Sequence, residues 1–150
     1  MTAERSLNRL AASATTHCLT GCAIGEVLGF VIGTWRGWSN LWTTVVAVVL
    51  AYLFGYSFTL TQLLGSGIVL GTAIGLALAA DSLSITVMEI VDNAVMFVVP
   101  GAVDAGLGDA LFWGSLALSL AVAWVAAFPA NRWLIARGRG HAVVHERHQH

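Results

Sequence analysis

Four stretches of this chain, at 11–34, 41–63, 67–99 and 110–130, are apolar for long enough to cross a lipid bilayer. No other feature restricts the fold as strongly. Roughly 20 mostly apolar residues span roughly 30 Å of hydrocarbon at 1.5 Å rise per residue. Inside that layer every backbone N–H and C=O must be paired without water, which segments of this length achieve as α-helices. The expected fold is therefore all-α: an integral membrane four-helix bundle over 11–134, preceded by a short segment at 1–10 and followed by a tail at 135–150. The first stretch is too long for a signal peptide and lacks a cleavage pattern, so it counts as a true span.

The charge pattern agrees with a bilayer as solvent. Only 10% of the residues are charged, none is lysine, and 57% are hydrophobic; mean hydropathy is +0.79. A soluble domain of this size needs more charge to cover its surface. Nucleic-acid binding is set aside, because the seven arginines stand at the two ends and in one loop and form no patch. Arg5 and Arg9 precede the first span and Arg132, Arg137, Arg139 and Arg147 follow the fourth, whereas the far-side loops hold Arg36, Asp104 and Asp109. The positive-inside bias then makes both termini cytoplasmic, in a multi-pass protein of the inner (plasma) membrane. Trp35, Trp38 and Trp42 at the first outer loop, with Trp113 and Trp133 at the two ends of span four, suit interfacial aromatic belts. The tail histidines His141, His145, His148 and His150 read as a short solvated segment.

The third stretch is irregular. Its 33 residues would measure about 50 Å as one helix, so it must tilt, protrude or break. Ala80-Asp81-Ser82 is the point best suited to a break, with Asp81 as an N-cap and Ser82 and Ser84 able to satisfy freed backbone groups. Asp109 is placed to cap the fourth helix.

Polar residues inside the spans carry the functional expectation, since ionisable groups at that depth are expensive. At about 100° per residue, Cys18, Cys22 and Glu26 lie on one slowly drifting stripe of span one, with His17 beside it. Gly21, Gly25, Gly29 and Gly33 form an i+4 series on the same half of the helix, a small-residue seam that lets another backbone approach. In span three Asp81, Ser82, Met88, Glu89, Asp92, Asn93 and Met96 share an arc, and Gly67, Gly71 and Gly75 are expected on the same side. Packing spans one and three seam to seam would gather His17, Cys18, Cys22, Glu26, Asp81, Met88 and Glu89 into one metal-ligand pocket. Thiolate and thioether select soft ions, so copper is the favoured ion and zinc the alternative. The two cysteines, at i and i+4 of one helix, are poorly placed to bridge each other and are read as reduced thiols.

The segment Thr16-His17-Cys18-Leu19-Thr20-Gly21-Cys22-Ala23-Ile24-Gly25-Glu26, followed by Asp81, Met88-Glu89, Asn93, Pro100-Gly101, Pro129-Ala130-Asn131 and Gly140-His141, resembles a family of small bacterial and archaeal membrane proteins classed as a domain of unknown function. The resemblance extends over nearly the whole chain and implies a compact helical membrane domain. It implies no activity.

From the residues, the leading expectation is a homo-oligomeric membrane protein that binds a soft transition-metal ion between spans one and three and moves or senses it. Ligands aligned along helices favour transport. A membrane thiol redox component and a structural subunit without a ligand are the alternatives. No hydrolase constellation is present: His17 is the one histidine within a span, and no oxyanion hole accompanies it.

Overall fold

The computed structural model describes residues 2–137. Four helices occupy nearly all of it: α1 (Thr2–Arg36), α2 (Asn40–Gly65), α3 (Leu70–Val98) and α4 (Ala110–Ala136). Each is long and apolar enough to cross a membrane, and together they form a multi-pass bundle. The histidines and arginines beyond residue 137 lie outside the described residues.

Short connections make sequential neighbours antiparallel. α1 packs against all three other helices, most extensively against α2, while α2 and α4 face each other across a diagonal. The first and third helices consequently run parallel across the other, shorter diagonal. Two of the turns end their helices in the same way. At the first, Gly37 takes a φ of 69° and Trp38 N–H bonds back to the Gly33 carbonyl at 2.9 Å. At the second, Gly67 takes a φ of 84° and Ile68 N–H bonds back to Leu63 at 3.2 Å. This is the Schellman arrangement, which a glycine enters without a Cβ clash. Asp109 caps α4, its Oδ1 accepting from Leu111 N–H at 3.1 Å.

Hydroxyl residues enter the spans by bonding back onto their own helix. Thr15, Thr20, Ser82 and Thr86 donate to the carbonyls of Ala11, Thr16, Leu78 and Ser82 at 2.6–2.8 Å. This local satisfaction explains why α3 runs unbroken through Asp81, where a break was expected: Ser82 frees no backbone group, and the Asp81 side chain finds Cys18 on α1 instead. The helix also begins at Leu70, so it is 29 residues long and the length problem largely disappears. α1, at 35 residues, is the longest of the four helices. Its first turns carry Arg5 and Arg9, and Arg132 of α4 reaches Asn8 at 2.8 Å and Glu4 at 3.9 Å there.

The glycine seam of α1 faces α2. A Cβ added to Gly21 would sit 2.9 Å from Gly55 Cα, and at Gly25, Gly29 and Gly33 it would run into Ala51, Ala47 and Thr43. The opposing stripe of α2, Thr43, Ala47, Ala51, Gly55 and Thr59, is buried at every fourth residue, so two small-residue stripes lie backbone to backbone. The expected seam on α3 is absent. Gly67 belongs to the turn, and a Cβ at Gly71 or Gly75 would meet nothing within 4 Å. At this end α3 has α2 as its neighbour and meets it through Ala73 and Ala77, which pack with Leu63; the glycines are thereby turned outward.

Trp35, Trp38, Trp42, Trp113 and Trp133 are all exposed. The first four stand at one end of the bundle and Trp133 at the other, as the antiparallel order requires.

Candidate functional site

Because α1 and α3 are parallel, their polar residues advance together. Cys18 meets Asp81, with Sγ donating to Oδ1 at 3.5 Å. Cys22 lies beside Glu89. Glu26 abuts both Glu89 and Asp92. These six residues form a file of about 12 Å along α1, at 1.5 Å per residue, and none is more than 5% exposed. Met88 belongs to one buried apolar cluster with the two cysteines, Ala51, Ile85, Ala123 and Ala127.

Both ends of the file are tied to the other helices. Toward the N-terminal end of α1, Asn131 of α4 donates from Nδ2 to Thr15 Oγ1 and to Ser84 Oγ, each at 2.9 Å, and Thr59 of α2 borders Asp81. Toward the other end the Ser119 hydroxyl of α4 shares its one proton between Asp92 and the Leu116 carbonyl, the latter at 2.8 Å. The thiols Cys18 and Cys22 are both free and buried.

The middle of the file is poor in donors. Among the described residues no N–H or hydroxyl reaches a carboxyl oxygen of Glu26 or of Glu89, whose polar neighbours are each other, Asp92 and the Cys22 thiol. Nor does an arginine balance them, since the described arginines Arg5, Arg9, Arg36, Arg132 and Arg137 stand at the helix ends. Buried acids without a donor or a counterion call for a cation, whether a proton or a metal ion.

Of the residues singled out in the sequence, Cys18, Cys22, Glu26, Asp81, Met88 and Glu89 are brought together in the bundle interior. His17 is not among them. One residue from Cys18 is about 100° around a helix, and the imidazole lies against the Phe58 ring at 5.7 Å, in an outward groove with Thr16 and Thr20. The pocket expected to contain all seven is therefore without its nitrogen ligand. Among the described residues, no three His, Cys, Asp or Glu side chains converge as a closed metal centre would need. Ser84, Ser119 and Asn131 join the site without having been expected. A signal for the last two existed in the i+4 series Ser119, Ala123, Ala127, Asn131 of α4, every member of which is buried.

The family described as domain of unknown function DUF4396 has a model that matches residues 7–140. The chain belongs to that family. No curated protein and no solved structure matches it. The DUF4396 match takes in all four spans and every residue of the file, so thiols, carboxyls and the Asn131 and Ser119 ties all lie within the family domain.

Proposed function

We propose that this DUF4396 protein carries a soft transition-metal cation through the membrane along the file between α1 and α3, with Cu(I) the favoured ion and Zn(II) the alternative. The observation that carries this reading is the pair of buried carboxyls, Glu26 and Glu89, whose oxygens have no N–H or hydroxyl partner among the described residues and which lie beside each other, Asp92 and the free thiols, with the described arginines at the helix ends. Thiols and the Met88 thioether supply soft donors, and the carboxyls supply compensating charge. The ligands come in successive groups along the helices: Glu26 with Asp92, Cys22 with Glu89, then Cys18 with Asp81, with Met88 in the same buried cluster as the two cysteines. Weak sites in series suit passage, which requires binding favourable enough to admit an ion and loose enough to release it. A storage or structural site would gather its ligands at one point.

The arginine-rich end, with Arg5, Arg9, Arg132 and Arg137, is the cytoplasmic one in this reading, and the bilayer is the plasma membrane. The test is elemental analysis of the purified protein in detergent after loading with Cu(I). Wild type is expected to retain copper, and the Cys18→Ser, Cys22→Ser double variant to lose it while staying folded, because hydroxyls of similar size are poor ligands for a soft ion. Equal copper content in the two proteins would overturn the reading.

A further inference from the structure

Beyond the file, toward the end of the bundle where α1 finishes and α2 begins, lies a cavity of about 300 Å³ roofed by the α3–α4 connection. We propose that this cavity is the aqueous vestibule of the path, a site for a hydrated cation beside Asp104, and that an apolar layer centred on Phe30 and Phe112 separates it from Glu26 and Asp92. The cargo is that of the function proposed above, on which this step rests; the barrier is open to test without any cation.

The cavity is built for water and positive charge. Its walls include Thr34, Asn40, Thr43 and Thr44, and among the described residues Asp104 is the one charged residue lining it. Asn40 Nδ2 donates to Asp104 Oδ1 at 2.7 Å, which fixes the carboxylate at the rim. The volume leaves room for several waters among polar partners.

Its inner wall is different in kind. Phe30 and Phe112 meet edge to face at 5.1 Å, and Phe112, Met96 and Leu116 form one buried apolar cluster into which Phe30 packs. Three helices set this layer at the same depth. Phe30 is four residues beyond Glu26 on α1, Met96 is four beyond Asp92 on α3, and Leu116 is three before Ser119 on the antiparallel α4, so each lies about one turn outward of the carboxyl layer. An apolar constriction of that thickness blocks an ion by excluding its water. Phe30 and Phe112 line the cavity and belong to the layer, as do Val103, Ala105 and Leu107 of the α3–α4 connection.

The native thiols report on the barrier. In a Cys18→Ser background Cys22 is the sole thiol of the chain, one turn past Glu26, and it should react slowly with a positively charged, water-soluble methanethiosulfonate reagent. Phe112→Ala and, separately, the half-buried Phe30→Ala are expected to raise that rate about tenfold or more by opening the constriction. Adding Thr44→Trp, at a residue that lines the vestibule and lies outside the apolar layer, should bring the rate back down. An unchanged rate in both phenylalanine variants would overturn the assignment of the barrier. A rise that Thr44→Trp leaves intact would overturn the vestibule, because the reagent would then arrive by another route. Copper content is read separately, so a protein that binds no copper but shows the gated thiol refutes the cargo and leaves the barrier standing; the reverse pattern refutes the barrier alone.

Discussion

Asn131 is the residue on which three helices converge: one amide donates to Thr15 of α1 and Ser84 of α3 from its place on α4. In a bilayer interior the hydroxyls released by its removal have no water to turn to, and interhelical hydrogen bonds of this kind contribute about 0.6 kcal/mol on average and up to about 1.7. Asn131→Leu is therefore expected to destabilise the bundle by about 1 to 2 kcal/mol across its two bonds, measured as a fall in the melting temperature in detergent. Ser119→Ala is the matching change at the other end of the file. It removes the hydroxyl that holds Asp92, so it should weaken Cu(I) retention more than it lowers the melting temperature; a pure stability loss with full copper content would take Asp92 out of the path. Cys18, Cys22, Glu26, Asp81 and Glu89 are legible in the sequence because a thiol or a carboxyl in an apolar helix stands out by composition, and Met88 because it shares their arc. Asn131 and Ser119 are not, since Asn and Ser are ordinary at helix ends and in spans, and their importance comes from partners 47 to 116 residues away along the chain for Asn131 and 27 residues away for Ser119.

At the scale of elements, two helices with similar glycine series have opposite environments. The α1 series faces the small-residue stripe of α2 with backbones in contact, whereas Gly71 and Gly75 of α3 have open space where a Cβ would go. Gly25→Ala is expected to separate α1 from α2 and lower the melting temperature, because backbone atoms of Leu50 and Ala51 stand where the methyl would be. Gly75→Ala should be neutral or stabilising by up to about 1 kcal/mol, as glycine is a poor helix former relative to alanine. Equal effects of the two changes in a detergent melt would refute the α1–α2 seam. Periodicity alone could not separate the cases, because an i+4 series states which residues share a face and not which neighbour covers it. The same limit applies to Asp81: its local pattern predicts a helix break, whereas in the bundle Cys18 of another helix donates to its carboxyl.

For the whole molecule, an even number of spans puts both ends of the described chain on one side. With Arg5, Arg9, Arg132 and Arg137 at that end, reporters fused at either terminus should be active in the cytoplasm only; activity on the outer side from the fusion at His150 would reverse the proposed orientation. The four helices and the bilayer as their solvent were determined by sequence alone, because hydropathy over about 20 residues is a local property that the membrane reads directly. So was the supply of thiols and carboxyls within the spans. Which helices touch was decided only by the tertiary structure: the antiparallel order makes α1 and α3 parallel, and parallel packing turns two separate polar stripes into one file of paired groups. Tertiary packing likewise turned His17 away toward Phe58, and it stacked Phe30, Met96, Phe112 and Leu116 from three helices into one layer. Those outcomes depend on the rotation of each helix about its own axis, which is set by how neighbouring surfaces fit together and leaves no mark in the hydropathy of any single segment.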